Sequence, residues 1–214
     1  MTNTRSTLPT FGAWQPSLLD ADIDAPSFDA SFSSARLIAL DDVSWVELVA
    51  GWVRGADALF TELVEVAPWA QRRRHMYDRI VDEPRLTAWY GDGLVDESLP
   101  GAVREMAAAL SARYERTFDG VGAALYRDGH DSVAWHGDKI ALEIVDPVVA
   151  LVSLGSPRTL RLRNKVRHRE SHAFTLLPGD LLVMGGSTQR TWEHSIPKVA
   201  KAGPRLSLQF RHSE

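Results

Sequence analysis

Three residues in the C-terminal half of the chain could hold one metal ion: His136 and Asp138 in the run WHGDKI, and His194 in QRTWEHSIP. Two imidazoles and one carboxylate on one face of a cation leave its other positions open, the donor set of non-haem Fe(II) sites that take up a cosubstrate and O2. On an extended strand end, residues two apart project to the same side, so His136 and Asp138 can reach a single ion. A His-x-Asp spacing alone is a weak signal. It gains weight from three residues downstream that arrive in order: His194, then Arg205 and Arg211 at the two ends of RLSLQFR. The even separation of the arginines puts both guanidinium groups on the same side of a strand. Pointing into a barrel they need an anion, and a dicarboxylate such as 2-oxoglutarate would neutralise both; pairing with structural Asp or Glu is the alternative. The other histidines, His75, His130, His168, His172 and His212, sit among charged residues or at strand ends and read as solvated side chains.

Bulk properties narrow the chemistry further. A chain of 214 residues can bury a full hydrophobic core as one domain. It contains no cysteine, which excludes disulfides, thiolate zinc sites and thiol nucleophiles and leaves any metal to His and carboxylate. A net charge of -4 argues against coating nucleic acid by overall charge, while leaving room for a local basic face. The N-terminal stretch lacks the apolar run of a signal peptide, and no segment approaches the ~20 apolar residues of a membrane span. The expectation is a cytoplasmic, monomeric protein without a membrane partner.

The elements that must position these residues can be read from the hydrophobic pattern. Residues 1–40, rich in Ser, Asp, Thr and Pro, read as an N-terminal arm, and 41–214 as the functional domain. Within it, 41–118 should supply helices and a substrate lid, and 119–214 a jelly-roll core. SWVELVAGWV reads as a strand; Ala58, Leu59, Leu63 and Val66 recur at helical spacing after Gly55. A second helix begins after Pro100, with Val103, Met106, Ala107, Leu110 and Tyr114 on one face. From about Val121 the texture changes to short apolar runs separated by Gly, Pro and Asp: VGAALY, VVALVSLG, TLRLR, HAFTLL, DLLVMGG, QRTWEHS and RLSLQFR. The fold class is therefore α+β, a double-stranded β-helix (jelly-roll) core braced by N-terminal helices. Such a core can bring His194 back beside His136 and Asp138.

At these residues the chain resembles the AlkB family of Fe(II)/2-oxoglutarate-dependent nucleic-acid dealkylating dioxygenases. That family's pattern is an Asn-x-Tyr strand, then His-x-Asp, then His, then Arg-x-Asn-x-x-x-Arg. LYRDGHDSVAWHGD, VALVSLGSPRTL, PGDLLVMGGSTQRTWEHSIPK and PRLSLQFR look like family segments in the right order, and EPRLTAWYGD resembles the entry to its substrate lid. The resemblance runs from about Val66 to the C-terminus. It implies iron on His136, Asp138 and His194, with 2-oxoglutarate and O2 as cosubstrates. The distal 2-oxoglutarate carboxylate would lie on Arg205, with Tyr126, Ser207 and Arg211 completing the cosubstrate site. The implied reaction couples decarboxylation of 2-oxoglutarate to succinate with hydroxylation of an N-methyl carbon, which then leaves as formaldehyde. The chain departs from the pattern at Ala124 and Ser207, where the family has Asn, and at Lys139, Ile140 and Ala141, where several members carry acidic base-reading residues. Its lid segment, GDGLVDESLP, is short.

The implied partner is alkylated DNA or RNA. A target base must be flipped out or taken from a single strand and gripped between flat side chains. Trp89 and Tyr90 are the candidates, with the His136 ring as the opposite wall, and Arg85 lies just before them. RTLRLRNKVRHRE places Arg158, Arg161, Arg163, Lys165, Arg167 and Arg169 on a basic hairpin whose tip, with Lys165 and Arg167, is expected to meet phosphates. A second basic cluster is Gln71-Arg72-Arg73-Arg74. Two other readings stay open on the sequence: the same chemistry on a protein or small-molecule substrate, and a jelly-roll binding module without turnover.

Overall fold

A computed structural model describes residues 25–76, 78–90, 99–138 and 144–213. The first elements are β1 (Ser27–Phe28), β2 (Ala35–Ala39), β3 (Ser44–Val49), β4 (Val53–Arg54) and α1 (Ala56–Val66). A long hairpin comes next, β5 (Ala70–Met76) and β6 (Arg79–Tyr90), and then α2 (Gly101–Tyr114). The rest is almost entirely strand: β7 (Gly120–Tyr126), β8 (Val133–His136), β9 (Val149–Gly155), β10 (Arg158–Asn164), β11 (Ser171–Leu176) and β12 (Leu181–Gly186). The helical turn α3 (Thr188–Thr191), β13 (Trp192–Ile196) and β14 (Arg205–Arg211) close the chain.

β1 and β4 form a separate two-stranded pair, and the other strands make two facing sheets. The major one has the order β2-β3-β12-β9-β14-β7-β6-β5 and the minor one β11-β10-β13-β8. Every residue of β7 and β9 is buried, which is why both read as unbroken apolar runs. The major sheet is covered twice. On one face Leu125, Leu206, Leu208 and Phe210 pack with Leu59 and Leu63 of α1 and Met106 and Leu110 of α2. On the other, Ala124, Tyr126, Val149 and Leu151 meet Leu160, Leu162, Trp192 and Ile196 of the minor sheet. The result is the expected jelly roll with helices on its outer face, and no described helix is long and apolar enough to cross a membrane.

Several expectations change at this level. Residues assigned to the N-terminal arm already belong to the fold, because β1 pairs with β4 and β2 lies beside β3 at one edge of the major sheet. SWVELVAGWV is two strands, broken where Gly51 adopts φ +60°. QRTWEHS begins as α3 and becomes a strand only at Trp192. The hairpin β5–β6 extends the sheet where only helices and a lid were expected; its arginine run hid the alternation that marks a strand. The lid residues 91–98 lie outside the described residues.

One polar cluster ties α2 to the sheet. Arg113 donates to both carboxylate oxygens of Glu47 on β3, at 3.0 and 2.8 Å, and the Tyr114 hydroxyl donates to Glu47 Oε2. The Arg113 guanidinium also lies 4.5 Å from the Phe32 ring centroid. Burial pushes the Glu47 carboxyl up, but the Arg113 and Tyr114 hydrogen bonds and the Arg113 charge outweigh it and hold the group below its ordinary range. Glu47→Gln should therefore cost about 2 kcal/mol at neutral pH, less than a fully buried pair because Arg113 is partly exposed. A depressed folded pKa means the stabilisation is complete above the unfolded glutamate value and is lost as pH falls through the folded one. Thermal unfolding across a pH series checks this: the Tm gap between wild type and variant should close in acid, and a constant gap would refute it.

Candidate metal centre and its cavity

The metal candidates converge because β8 and β13 are neighbours in the minor sheet, with His194 directly opposite His136. Their ring centroids are 4.2 Å apart. Asp138 lies two residues beyond the end of β8, and one donor atom from each of His136, Asp138 and His194 falls within 4.8 Å of the others. That spacing suits three ligands of one ion. The His136 Nδ1–H donates to the Ala134 carbonyl at 2.8 Å, since a carbonyl can only accept, so Nε2 is the ring nitrogen that could ligate a metal. Burial pulls the His194 pKa down to about 4, with the Asp138 charge opposing, so this imidazole is neutral at physiological pH. Burial raises the Asp138 carboxyl, but Arg211, His194 and His136 outweigh it, and the group stays below its ordinary range. Two neutral imidazoles and an ionised carboxylate are the states in which these groups ligate metals.

A cavity of about 440 Å³ opens beside this cluster. Its floor is the inner face of β14, where period-two alternation sends Leu206, Leu208 and Phe210 to the helix side and Arg205, Ser207, Gln209 and Arg211 inward. Arg205 is 1% exposed. Its Nε donates to Ser153 Oγ at 3.1 Å, its guanidinium lies 5.4 Å from the Tyr126 ring centroid, and its buried Nη1 has no hydrogen-bond partner among the described residues. Burial lowers its pKa to about 10, which leaves it charged. An unpartnered, buried N–H on a cation is the kind of group that a carboxylate of 2-oxoglutarate would satisfy. Arg211, placed with the cosubstrate by resemblance, instead donates to both oxygens of Asp138 at 3.2 and 3.3 Å. For this arginine the structural-pair alternative is what the fold contains.

Of the two aromatic candidates only one reaches the cavity. Adjacent residues on a strand face opposite ways. Trp89 turns inward with Arg85 and Thr87 and is 44% exposed, whereas Tyr90, at 1%, packs into the helix-side core. Tyr90 is therefore corrected from base-stacking to core. Trp89 and His136 line the same cavity. Arg85 lies at its wall, pairs with Glu83 at 3.2 Å and donates to the Ser132 carbonyl.

The basic hairpin is mostly occupied. Arg158 is 3% exposed and donates to the carbonyls of Asp128, Asp131 and Pro197. Arg163 pairs with Glu193 and lies over the Trp135 ring. Lys165, expected at phosphates, donates to the carbonyls of Gln189 and Arg190 at 3.1 and 2.8 Å, and Arg167 pairs with Glu170 in solvent. His212 is another correction: it is buried, and its Nε2 accepts the Val148 N–H. Residues 139–143, including Lys139, Ile140 and Ala141, lie outside the described residues.

Sequence reading missed four residues at the site. Ser153 is the single hydroxyl in an apolar strand and holds Arg205. Thr87 shares the parity of Arg85 and Trp89, lines the cavity and has a buried hydroxyl without a hydrogen-bond partner among the described residues. Gln189 accepts the Asp138 N–H at 3.0 Å. Gly122, opposite Trp89 in the sheet, lets the indole lie on the backbone: a Cβ there would be 3.1 Å from Trp89 Cε3.

The decisive comparison is with a family model, that of the 2OG-Fe(II) oxygenase superfamily, which matches residues 54–211. The chain belongs to that superfamily. Its oxygenase fold is also that of a solved structure titled "The structure of OsALKBH1", with a TM-score of 0.57 at 15% identity over 83% of this chain and all of the other. Among curated relatives, human alpha-ketoglutarate-dependent dioxygenase alkB homolog 3 is 33% identical over 79% of this chain and 66% of its own length. Human DNA oxidative demethylase ALKBH2 is 29% identical over 73% of this chain and 68% of its own length. The oxygenase chain thus spans just under two thirds of the alkB homolog 3 relative. Family membership brings Fe(II), 2-oxoglutarate and O2 as the cofactor and cosubstrates, and the donor set at His136, Asp138 and His194 fits the metal.

The glycine seat under Trp89 has a measurable consequence. Gly122→Val should lift the indole off the strand, so its cost and that of Trp89→Phe should be coupled by about 1 kcal/mol or more. A double-mutant cycle by urea unfolding measures the coupling, and strict additivity would refute the seat.

Proposed function

We propose that this oxygenase removes N-alkyl groups from nucleobases of DNA or RNA, as an oxidative dealkylase. The observation that carries the reading is one cavity that holds the His136–Asp138–His194 cluster, the buried cation Arg205 and the half-exposed indole of Trp89. In this reading His136, Asp138 and His194 hold the iron, and Arg205, with Tyr126 and Ser207 beside it, holds the distal carboxylate of 2-oxoglutarate. When bound, the iron with 2-oxoglutarate and O2 supplies hydroxylation of the alkyl carbon, coupled to release of succinate and CO2. Trp89 presents a flat π-face, which attracts a base made cationic by alkylation at a ring nitrogen. The site needs no acid–base pair of its own, because the hydroxylated carbon leaves as an aldehyde. Arg72, which also lines the cavity, is the cation set to meet a flanking phosphate, whereas Arg85 is engaged by Glu83 and the Ser132 carbonyl. The names of the curated relatives, a dioxygenase and a DNA oxidative demethylase, support the same reading.

Formaldehyde release from oligonucleotides carrying N1-methyladenine or N3-methylcytosine, with Fe(II), 2-oxoglutarate and ascorbate, tests it. Wild type should turn over, while His136→Ala and Asp138→Ala should abolish release. No release from wild type overturns the dealkylase reading, and full activity in either variant overturns the metal assignment. Arg72→Ala should flatten the salt dependence of oligonucleotide binding by a slope of about 1.

A further inference from the structure

The metal-site carboxylate sits on a segment that has left its strand. β8 ends at His136, and Asp138 comes after Gly137, so no ladder fixes the backbone that aims the carboxylate. The turn α3 fixes it instead. Gln189, 2% exposed, accepts the Asp138 backbone N–H with its side-chain oxygen at 3.0 Å, while its Nε2 points at Met184 Sδ. Its own backbone carbonyl accepts from Lys165 Nζ at 3.1 Å, and the same ammonium reaches the Arg190 carbonyl at 2.8 Å. The fit around Gly137 is close: a Cβ there would lie 2.7 Å from the Gln189 carbonyl oxygen and 3.1 Å from Lys165 Nζ. The turn is itself anchored to β3, because Thr188 Oγ1 accepts the Trp45 N–H at 3.2 Å and the Ser187 N–H reaches the Val43 carbonyl at 2.8 Å.

We infer that Gln189, locked by Lys165, is a positioning residue for the metal: it sets where the Asp138 carboxylate stands relative to His136 and His194. The inference rests on the proposed role of those three residues as ligands. The geometry separates two tasks. Arg211 holds the Asp138 side chain from the cavity, and Gln189 holds its backbone from behind. His194 lies just after α3 on β13, so the same turn that grips Asp138 also starts the strand carrying the facing imidazole. His194 is itself held opposite His136 by the β13 ladder, so a shift of α3 would act on the backbone of Asp138 relative to the two imidazoles. The arrangement also explains a lysine that looks, from sequence, like a phosphate contact: its ammonium, on an exposed side chain, is engaged by the carbonyls of Gln189 and Arg190.

Titration of the metal-free full chain with Mn(II), measured by calorimetry and accompanied by thermal unfolding of each variant, tests the inference. Partners that orient ligands typically govern metal affinity by about 10–100-fold, so Gln189→Leu should lose affinity in that range. Lys165→Met, altered on an exposed side chain, should weaken Mn(II) binding in the same direction by a smaller factor and keeps the test open if Gln189→Leu folds poorly. Wild-type affinity per folded molecule in both Gln189→Leu and Lys165→Met, whatever their Tm, overturns the positioning role and leaves the ligand assignment intact. Absence of Mn(II) binding by the wild-type chain overturns the ligand assignment and the positioning role with it.

Discussion

A guanidinium buried inside a β-sandwich is the constraint around which this protein is arranged. Arg205 begins β14, a strand whose other parity is fully committed to the helix-side core through Leu206, Leu208 and Phe210. A slip of one residue would place the arginines among α1 and α2 and the leucines in the cavity, so the register is fixed by the hydrophobic partition itself. With that register, Arg205 must face inward. The surroundings meet it only in part, through the Ser153 hydroxyl and the Tyr126 ring, and leave Nη1 without a partner among the described residues. Such a group adds nothing to stability that an apolar residue would not, and it is the feature on which the proposed cosubstrate site rests.

The rest of the architecture serves to keep that inner face in place. The major sheet is packed on both sides, so its strands cannot twist independently of α1 and α2. Glu47 with Arg113 and Tyr114 pins α2 to β3, and β3 in turn anchors α3, which stands over Asp138. The minor sheet is thinner and carries the metal candidates at its β8–β13 edge, where His136 and His194 lie opposite each other. The cation end of the cavity therefore belongs to one sheet and the ligand end to the other. The cavity exists because the sheets are held apart by side chains such as Tyr126 and Leu160 rather than closed upon each other.

Sequence made legible whatever depends on local period and chain order. The jelly-roll strands, both main helices and the shared face of Arg205 and Arg211 come from alternation and spacing within short windows, whereas the triad comes from chain order and the family resemblance. Trp89 and Tyr90 show the same rule unused: their adjacency forces them to opposite faces, and the parity of Arg85 and Thr87 picks out Trp89. Other features depend on contacts between distant segments and have no local mark. Lys165 meets Gln189 of α3, 24 residues along the chain, and Arg158 reaches carbonyls 27 to 39 residues away. A basic run gives the charges but not which of them the protein will use internally. The hairpin β5–β6 escaped for the opposite reason, since its arginines look like a surface cluster whether or not they lie on a strand.

The unequal fates of Arg205 and Arg211 bear on how the cavity accepts its ligands. Arg211 is matched by Asp138, whereas Arg205 has no carboxylate within hydrogen-bonding reach among the described residues. Both candidate imidazoles contribute no charge in their ligating form. The interior thus carries an excess positive charge near Tyr126 and a balanced pair near the metal candidates. A divalent cation added alone would raise the buried positive charge, and a dicarboxylate added alone would overshoot in the other direction. Added together, the two ligands cancel each other's charge and leave the interior with the single excess positive charge of Arg205 that it carries when empty. In a site of low effective dielectric, any preference for the doubly loaded state therefore comes from the attraction between the two oppositely charged ligands, while Arg205 favours the dicarboxylate whether or not the metal is bound.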